Sequence, residues 1–420
     1  HIYPKRQKMV ANIIEDDVNC DKDIYETFSI DPVGCCDIDD AFHVKKISNS
    51  QIEIGIHIAD VASRLDLDKM SFSFFSSIYL DGKQINMLPD NVTYNDASLG
   101  NGELKRAVSL ILSYTYDTIH YTLDRVIFKP CLVNNKAMSY QKADSHISHG
   151  KIEFNILHDI AKQQKGDVNA AAIPATKIVE YFMLLYNTHV AETLFKHNNA
   201  TILRRHLKCD YTPSANYTDS LEKYLTRTHQ HSAEYIRGDC ESDTGNSHQS
   251  LGLKYYTHAT SPIRRFVDVI NQANILRMID NKPFLSIDAS KLSEVNLFNK
   301  NLRKFYNNYK KLQLIFDSNQ SISYTAFITE IKEYKIKVYI PVLDIDHFVR
   351  ISSHKLSKLD IIKLGSIDDI DTHTFLDINI NEVKLTKYEE VTISITILPY
   401  ETIFNNKIYC QLISPDISIL

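Results

Sequence analysis

The periodicity of the sequence changes near residue 318, and this change limits the architectures that the chain can adopt. Before it, stretches that alternate apolar and other residues, as at 52–62, are mixed with stretches that repeat apolar residues at helical spacing, as at 176–195. After it, short strand-type runs are separated by polar turns, at 324–331, 335–342, 391–398 and 407–413. We therefore predict an α+β fold in which a mixed larger domain precedes a small all-β barrel.

Further patterns set the expected limits of these domains. Two strands at 107–114 and 118–126 are joined by a polar turn, and helical patterns follow at 262–279 and 291–316. The interval 361–383 is rich in Asp and Ile and resembles an insertion. The predicted parts are a lead-in, the larger domain and the barrel, at 1–27, 28–317 and 318–420.

Charge and cysteine content exclude several classes of protein. The net charge of −5, from 47 basic and 52 acidic residues, gives no overall attraction to a polyanion, so a nucleic acid would need a locally basic channel. No apolar run approaches the roughly 20 residues of a membrane span, and we expect a cytoplasmic or nuclear protein. The 7 cysteines are scattered, which predicts reduced thiols and argues against a zinc site.

Four carboxylates lie close together in the segment 29–43, which reads Ser-Ile-Asp-Pro-Val-Gly-Cys-Cys-Asp-Ile-Asp-Asp-Ala-Phe-His. Like charges at this density raise one another's pKa unless a cation compensates them, and carboxylate oxygens suit Mg²⁺ or Mn²⁺. A turn at Pro32 and Gly34 would bring the first carboxylate beside the others. The candidate metal-site residues are Asp31, Asp37, Asp39 and Asp40.

Two other interpretations of this segment stay open at this point. One is a solvated acidic turn, although the apolar neighbours Ile30, Ile38 and Phe42 are expected to anchor the segment in a core. The other is a calcium loop, which disagrees with the sequence because Phe42 and Ser48 stand where that motif has Gly and Glu.

A second informative segment, at 255–270, carries two adjacent arginines. Ser261 suits a helix cap and Pro262 suits the first helical position, so we predict that a helix begins here and offers N–H groups to a phosphate. Arg264 and Arg265 would then lie in its first turn, where a guanidinium can stabilise charge that develops on a phosphate. Taken alone, such a pair is more often a surface feature.

Together the two segments resemble the signature motifs of the ribonuclease II/ribonuclease R (RNB) family. The wording Ile-Asp-Pro-x-Gly-Cys-x-Asp-Ile-Asp-Asp-Ala at 30–41 is similar to its eukaryotic branch, that of the hydrolytic catalytic subunit of the exosome. The resemblance extends over roughly 28–315. Further matching segments follow in the family's order at 55–60, 79, 87–89, 98–99, 178–183, 203–206 and 260–265.

The resemblance implies a fold and an activity. The fold would be an RNB catalytic domain, with mixed sheets and helices around an RNA channel, followed by an S1-like OB barrel that binds RNA. The activity would be Mg²⁺-dependent 3′→5′ hydrolysis of single-stranded RNA to nucleoside 5′-monophosphates, with Mn²⁺ as the alternative ion. In this family Asp31, Asp37 and Asp40 would hold the metal, Asp39 would position the terminal nucleotide, and Arg264 would contact the scissile phosphate.

The resemblance also implies contacts with RNA. Tyr79 stands where the family has an aromatic residue that stacks on a terminal base, and Glu180 matches the first Glu of a pair that contacts ribose. We assign Arg265 to RNA binding with them. His57 and Asp60 we interpret as structural, because a bound metal lowers the pKa of its own water and no separate base is required.

The sequence departs from the family at two places. Tyr181 replaces the second Glu of the pair, and the block at about 140–175 is shorter than usual. These departures favour, as the rival interpretation, a catalytically silent RNA-binding relative; a metal phosphohydrolase acting on small nucleotides is a third. We expect single-stranded RNA as the partner, no membrane, a monomer in isolation, and a larger RNA-degradation assembly as a further partner.

Overall fold

The computed structural model describes residues 23–67, 74–164, 173–197, 201–207, 217–229, 232–238, 245–317, 321–332, 335–350, 367–369, 374–375, 377–380, 383–398 and 408–415. The strands are β1 Ile24–Asp31, β2 Asp40–Lys46, β3 Gln51–Ala59, β4 Ile78–Leu80, β5 Lys83–Ile85, β6 Leu104–Tyr116, β7 Tyr121–Ser139, β8 Ile202–Arg205, β9 Glu234–Arg237, β10 Ile322–Lys332, β11 Lys335–Ile340, β12 Ile345–Arg350, β13 Ile367–Asp369, β14 Thr374–Phe375, β15 Asp377–Ile380, β16 Val383–Thr386, β17 Glu390–Ile397 and β18 Ile408–Ser414. The helices are α1 Tyr140–Ser148, α2 Ile152–Gln164, α3 Ala175–His197, α4 Asp219–His229, α5 Phe266–Ile279 and α6 Ala289–Asp317, with short helical turns at Ala62–Arg64, Val92–Ala97 and Gln249–Leu251.

Two compact units divide the chain. The first takes in the described residues up to Leu207 and those from Ser232 to Asn299; the second takes in those of 208–231 and those from Lys300 onward. The predicted α+β class is confirmed. The predicted limits 28–317 and 318–420 stay a prediction, and residues 1–22 of the lead-in and most of the interval 361–383 lie outside the described residues.

The first unit is built on a closed barrel of strands in the order β1-β2-β3-β6-β7. β1 and β7 pair in parallel and the other neighbours are antiparallel. Because side chains alternate along a strand, one side of each strand faces out of the barrel. That side carries the isoleucines of β3, which pack with Phe154 of α2 and Phe182 of α3 in one apolar core.

The inside of the barrel contains a cluster of buried polar side chains. Nδ1 of His43 lies 2.7 Å from Nε2 of His57, whose Nδ1 lies 2.7 Å from Oγ of Ser109. Tyr25 of β1 stacks on His43 at 4.4 Å between ring centroids, and it also contacts His57 of the non-adjacent strand β3 at 5.3 Å. Because β1 and β3 are not neighbours in the barrel, these side chains can touch only if they point into its interior. The prediction that His57 is structural agrees with these contacts.

A second apolar core brings α5 to the ends of β2 and β3. Phe266, Val267 and Ile270 pack there with Ala41 and Ala59. Gln272 of α5 fixes the end of β3, since its Nε2 donates to the carbonyl of Ala59 at 2.8 Å. The start of α5 is thereby held next to the loop that joins β1 and β2.

The second unit is mainly antiparallel sheet. Its strands pair in the order β12-β11-β10-β17-β18, and Nε2 of His347 on β12 lies 3.0 Å from the carbonyl oxygen of Ile408 on β18. The two outer strands of this set are thus close to each other, as in a small barrel of the predicted OB type. α4 packs Tyr224 on Tyr339 within the same unit, at 4.1 Å between ring centroids.

Sequence analysis located most long elements but missed several. α3, α6, β10, β11, β17 and β18 lie close to their predicted ranges. β7 is much longer than predicted, and α1, α2 and α4 were not predicted at all. Within the described residues, no helix is both long and apolar enough to cross a bilayer, and no disulfide joins the cysteines. Cys20, Cys209 and Cys240 lie outside those residues.

Candidate active site

The acidic segment forms the loop between two neighbouring barrel strands. β1 ends at Asp31 and β2 begins at Asp40, so the strand pairing itself brings these two ends together. Gly34 has a φ of +84°, a conformation that favours glycine, and the N–H of Cys35 donates to the carbonyl of Pro32 at 3.1 Å. The predicted turn is therefore present.

The loop is fixed to the body of the first unit. Ile38 is 5% exposed, its N–H donates to Oγ of Ser98 at 3.0 Å, and its carbonyl accepts the N–H of Leu99 at 3.0 Å. The N–H of Ala59 donates to the carbonyl of Asp39 at 2.8 Å. A loop anchored in this way is not the solvated acidic turn that the sequence left open, and its carboxylates have fixed positions.

Burial and mutual repulsion disfavour the ionised state of two of these carboxylates. Burial raises the pKa of Asp31 to about 6, and the charge of Asp37 adds to that effect. Burial also raises the pKa of Asp40 well above its usual range, and Asp31 and Asp39 raise it further. Oδ2 of Asp31 is buried and accepts no hydrogen bond from the described residues. Such a site favours a cation, which would reverse the local field.

Asp39 joins the acidic loop to the arginine segment. Its Oδ1 accepts the N–H of Ile263 at 3.0 Å, and its Oδ2 lies 3.3 Å from Nε of Arg264. Asp39 is only 5% exposed, and this burial raises its pKa to about 7 although Arg264 acts in the opposite direction. The two segments that sequence analysis identified separately are thus in direct contact.

The predicted start of the helix at Pro262 is wrong. α5 begins at Phe266, and Arg265 precedes it in an extended conformation, with φ −136° and ψ 126°. The residues from Ser261 form a turn, whose N–H groups are bound by carboxylates: Asp268 accepts that of Ser261 at 2.8 Å and Asp39 that of Ile263. The Ser-Pro pattern that suits a helix start is used here for a turn, so Arg264 and Arg265 do not lie in a first helical turn.

The two arginines have different surroundings. Arg264 has 42% of its side chain exposed, and it donates through Nη2 to Oγ of Ser261 at 2.8 Å. Arg265 is 21% exposed and forms an ion pair at 2.7 Å with Asp268, which is fully buried. Arg264 is therefore the guanidinium that is accessible to a phosphate, while Arg265 mainly compensates a buried charge.

A short hairpin of β4 and β5 contributes Tyr79. Tyr79 is 40% exposed, and its hydroxyl donates to Oδ2 of Asp37 at 2.6 Å. Gln84, which pairs with Tyr79 across the hairpin, donates through Nε2 to the same oxygen at 3.0 Å. Sequence analysis gave no indication of the Gln84 contact, because a lone glutamine in a strand carries no motif.

The middle of α3 presents Glu180 and Tyr181 in different directions. Glu180 is exposed and forms an ion pair with Lys177, one helical turn away. Tyr181 packs edge-on against Phe182 at 5.0 Å between ring centroids and contacts the apolar core; burial raises its pKa to about 12. The residue that departs from the family pattern thus serves the core.

One cavity of about 620 Å³ collects the predicted residues. Its walls come from the acidic loop, the hairpin, α3 and the arginine turn. All eight residues predicted from the sequence line it: Asp31, Asp37, Asp39, Asp40, Tyr79, Glu180, Arg264 and Arg265.

The same cavity has lining residues that sequence analysis missed. They include Tyr140, Asn187, Tyr256 and His258. Nδ1 of His258 lies 2.6 Å from the hydroxyl of Tyr235, and burial lowers the pKa of His258 well below its usual range, so it is a neutral hydrogen-bonding group at neutral pH. Tyr256 and His258 lie within the arginine segment itself, where their proximity to Arg264 was the available signal.

The donor set fits a hard cation only in part. Carboxylate oxygens are suitable ligands for Mg²⁺, and the unpartnered Oδ2 of Asp31 is a buried acceptor without a donor. However, no three side chains of His, Cys, Asp or Glu in the described ranges are already arranged as a metal-binding group. The residues present are thus chemically suited to Mg²⁺, and their side chains would have to rearrange to gather around it.

Comparison with known proteins tests the family that the two motifs indicate. The sequence matches the RNB domain family over residues 21–162 and 147–281, which is more than half of the chain. It is 26% identical to the mouse exosome complex exonuclease RRP44 over 419 aligned residues, an alignment that covers 80% of this chain and 43% of the mouse protein. The chain thus spans less than half the length of that relative.

Solved structures show the same fold. The structure of yeast Ssd1, described as a pseudonuclease, matches with a TM-score of 0.68 at 15% identity, covering 92% of this chain and 66% of that one. Mycoplasma genitalium RNase R in complex with ribose-methylated single-stranded RNA matches with a TM-score of 0.65 at 16% identity, covering 92% and 70%. The family predicted from the two motifs is confirmed, and the chain belongs to the RNB domain family.

Proposed function

We propose that this chain is a Mg²⁺-dependent hydrolytic exoribonuclease that degrades single-stranded RNA from its 3′ end to nucleoside 5′-monophosphates. The observation that carries the proposal is the placement of all eight predicted residues on one cavity, with Asp39 and Arg264 in direct contact. The exonuclease name of the mouse relative and the RNA in the Mycoplasma genitalium structure support this choice of reaction and substrate.

Three carboxylates would hold the cation. Asp31 and Asp40 lie at adjacent strand ends, and Asp37 reaches the same cavity from the loop. When bound, Mg²⁺ would lower the pKa of a water molecule and offset charge on the phosphate. Mn²⁺ is the alternative ion, since both prefer oxygen ligands.

Asp39 and Arg264 would act on the RNA itself. Asp39 would position the terminal nucleotide through its 3′-hydroxyl, and its buried place between the loop and the arginine turn keeps its carboxylate oriented. Arg264 would contact the scissile phosphate, and its permanent charge would stabilise the negative charge that develops in the transition state. The ion pair between them holds the guanidinium beside Asp39, and both residues line the cavity.

Three further residues would bind RNA away from the reacting bond. Tyr79 would stack on a terminal base, because its ring is partly exposed at the cavity wall. Glu180 would contact ribose, where a 2′-hydroxyl distinguishes RNA from DNA. Arg265 would contribute positive charge from its pair with Asp268, at a greater degree of burial than Arg264.

The wider proposal includes the partners and the parts of the chain. We propose an RNB catalytic domain over 28–317, an RNA-binding OB-type barrel over 318–420, and a cytoplasmic or nuclear protein that is monomeric in isolation. The mouse relative carries the exosome complex in its name, which supports a larger RNA-degradation assembly as a partner.

A catalytically silent RNA-binding protein is the second candidate. Two observations favour it: the described side chains do not form a ready metal-binding group, and the yeast neighbour of similar fold is a pseudonuclease. Incubation of a 5′-labelled single-stranded RNA and its DNA counterpart with Mg²⁺ or with EDTA separates the two. Degradation of RNA only, and only with Mg²⁺, supports the exoribonuclease. Intact RNA that shifts on a native gel supports the silent protein, and cleavage of a mononucleotide in preference to RNA supports a small-nucleotide phosphohydrolase.

A further inference from the structure

Two neutral donors from one hairpin converge on a single oxygen of Asp37. The hydroxyl of Tyr79 lies 2.6 Å and Nε2 of Gln84 lies 3.0 Å from Oδ2 of Asp37. Tyr79 and Gln84 are directly opposite each other in the pairing of β4 with β5, so both side chains leave the same face of the hairpin. The hairpin therefore holds this carboxylate from one side as a unit.

The same hairpin is fixed to the arginine turn at its base. The N–H of Ser77 donates to the carbonyl of Arg264 at 3.0 Å, and the N–H of Phe266 donates to the carbonyl of Phe75 at 3.1 Å. Ser76 and Arg265 form a β-bridge between these two contacts. The residues 75–84 thus connect the backbone that carries Arg264 with the side chain of Asp37.

The other oxygen of Asp37 is held much more weakly. The Sγ of Cys35 lies 3.6 Å from Oδ1, and a thiol is a weak donor. Oδ2 is therefore bound by two neutral donors, while Oδ1 has only this weak contact among the hydrogen bonds found for it, and Asp37 itself lines the cavity. Hydrogen bonds of this kind orient carboxylate ligands and tune how well they hold a cation.

We propose that Gln84, together with the hydroxyl of Tyr79, is a positioning residue that orients Asp37 for the divalent cation. This inference rests on the proposed function, because it assigns Asp37 to the cation. It separates two roles of Tyr79: the ring for stacking on RNA, and the hydroxyl for holding Asp37. Gln84 has no contact with RNA in this scheme and acts only through Asp37.

The test uses the full chain and three single substitutions. Gln84→Met keeps the length of the side chain but removes the donor, and Tyr79→Phe keeps the ring but removes the hydroxyl. Lys83→Met is the matched control, since Lys83 is exposed and its side chain leaves the opposite face of the hairpin. Mn²⁺ binding is measured by the electron paramagnetic resonance signal of the free ion, RNA affinity is measured in EDTA, and thermal unfolding verifies the fold.

Each of the first two substitutions should weaken Mn²⁺ binding about tenfold, at the low end for partners of metal ligands because the hairpin is partly exposed. The Mg²⁺ concentration needed for half-maximal cleavage should rise by the same factor for both variants. For Gln84→Met, kcat at saturating Mg²⁺ and RNA affinity in EDTA should stay near those of the unsubstituted chain. Lys83→Met should change none of these quantities.

Two outcomes would overturn the inference alone: an unsubstituted chain that binds Mn²⁺ and cleaves RNA while both variants bind Mn²⁺ equally well, or variants that bind Mn²⁺ more tightly. The second would mean that the hairpin competes with the cation for Asp37. An unsubstituted chain that neither binds Mn²⁺ nor cleaves RNA would overturn the proposed function and this inference together.

Discussion

The first unit contains two buried polar clusters that differ in how their groups are satisfied. Inside the barrel, the two imidazoles and Ser109 form a continuous series of hydrogen bonds, which Oγ of Ser109 extends to Sγ of Cys131 at 2.8 Å. At the cavity, Oδ2 of Asp31 and Nε of Arg265 are buried without a hydrogen-bond partner in the described residues.

This difference in hydrogen bonding distinguishes polar groups that stabilise the fold from polar groups that are suited to bind a ligand. Buried polar groups normally pair within the protein, and an unpaired one costs free energy that something else must offset. In the barrel cluster, the polar side chains pair with one another. The two atoms named at the cavity do not, and the carboxylates of the cavity also repel one another. We infer that changes in the acidic loop and at Arg264 affect mainly activity, whereas changes in the barrel affect mainly stability.

The largest effect is expected for Asp39→Asn. Asparagine has nearly the same shape and its carbonyl oxygen can still accept the N–H of Ile263, but the charge facing Arg264 is lost. We predict that cleavage falls by roughly 1000-fold, as for loss of a preorganised charge at a reacting centre. RNA affinity in EDTA should change little. Cleavage at the original rate would show that Asp39 has no part in the reaction.

The two adjacent arginines allow effects on activity and on stability to be compared within one turn. Arg264→Ala should lower kcat by about 100-fold and leave the free energy of unfolding within about 1 kcal/mol. Arg265→Ala leaves the buried Asp268 without its ion pair and should lower the free energy of unfolding by about 3 kcal/mol. Urea unfolding and kcat on RNA are measured for both variants. If Arg264→Ala mainly lowered the free energy of unfolding and Arg265→Ala mainly lowered kcat, the roles given to the two arginines would be wrong.

Gly55→Ala tests the barrel interior. A Cβ at Gly55 would overlap the rings of both His43 and His57, so the packed histidines would have to move. We predict a loss of about 2 kcal/mol in the free energy of unfolding, measured in urea, as is usual for overpacking. Gly100→Ala is the control, because a Cβ there meets open space. Equal stability of the two variants would show that the interior is not closely packed.

The smallest effect concerns pH. Burial, and then the neighbouring charges of His43 and Lys129, lower the pKa of His57 well below its usual range. Below about pH 6.5 the unfolded chain therefore takes up a proton that the folded chain does not, and stability falls as the pH falls. This contribution approaches about 1.4 kcal/mol per pH unit. Unfolding free energies at several pH values should show a shallower fall for His57→Gln; parallel curves would disprove the contribution.

The sequence predicted which residues meet at the cavity better than it predicted the backbone around them. The four aspartates and Arg264 were identifiable because they stand in two segments with recognisable motifs. The start of α5 was not, since Ser261 and Pro262 suit both a helix cap and a turn, and the choice depends on Asp39 and Asp268, which bind the turn's N–H groups.

Other features depended on tertiary contacts that no local pattern reports. The barrel interior joins residues from five strands, so its hydrogen bonds could not be read from any one segment. Gln84 was missed for the same reason, because only the hairpin pairing places it beside Tyr79. The alternation at 52–62, in contrast, predicted β3 well, since one side of that strand faces an apolar core.

The most direct test of the central claim follows both ends of one RNA. The full chain is incubated with Mg²⁺ and single-stranded RNA labelled either at its 5′ end or at its 3′-terminal nucleotide, and early products are separated. We predict that the 3′ label is released first as a nucleoside 5′-monophosphate while the 5′-labelled strand shortens progressively. Internal fragments that retain the 3′ label, or RNA that is bound but stays intact, would contradict the claim that this cavity is an exoribonuclease site.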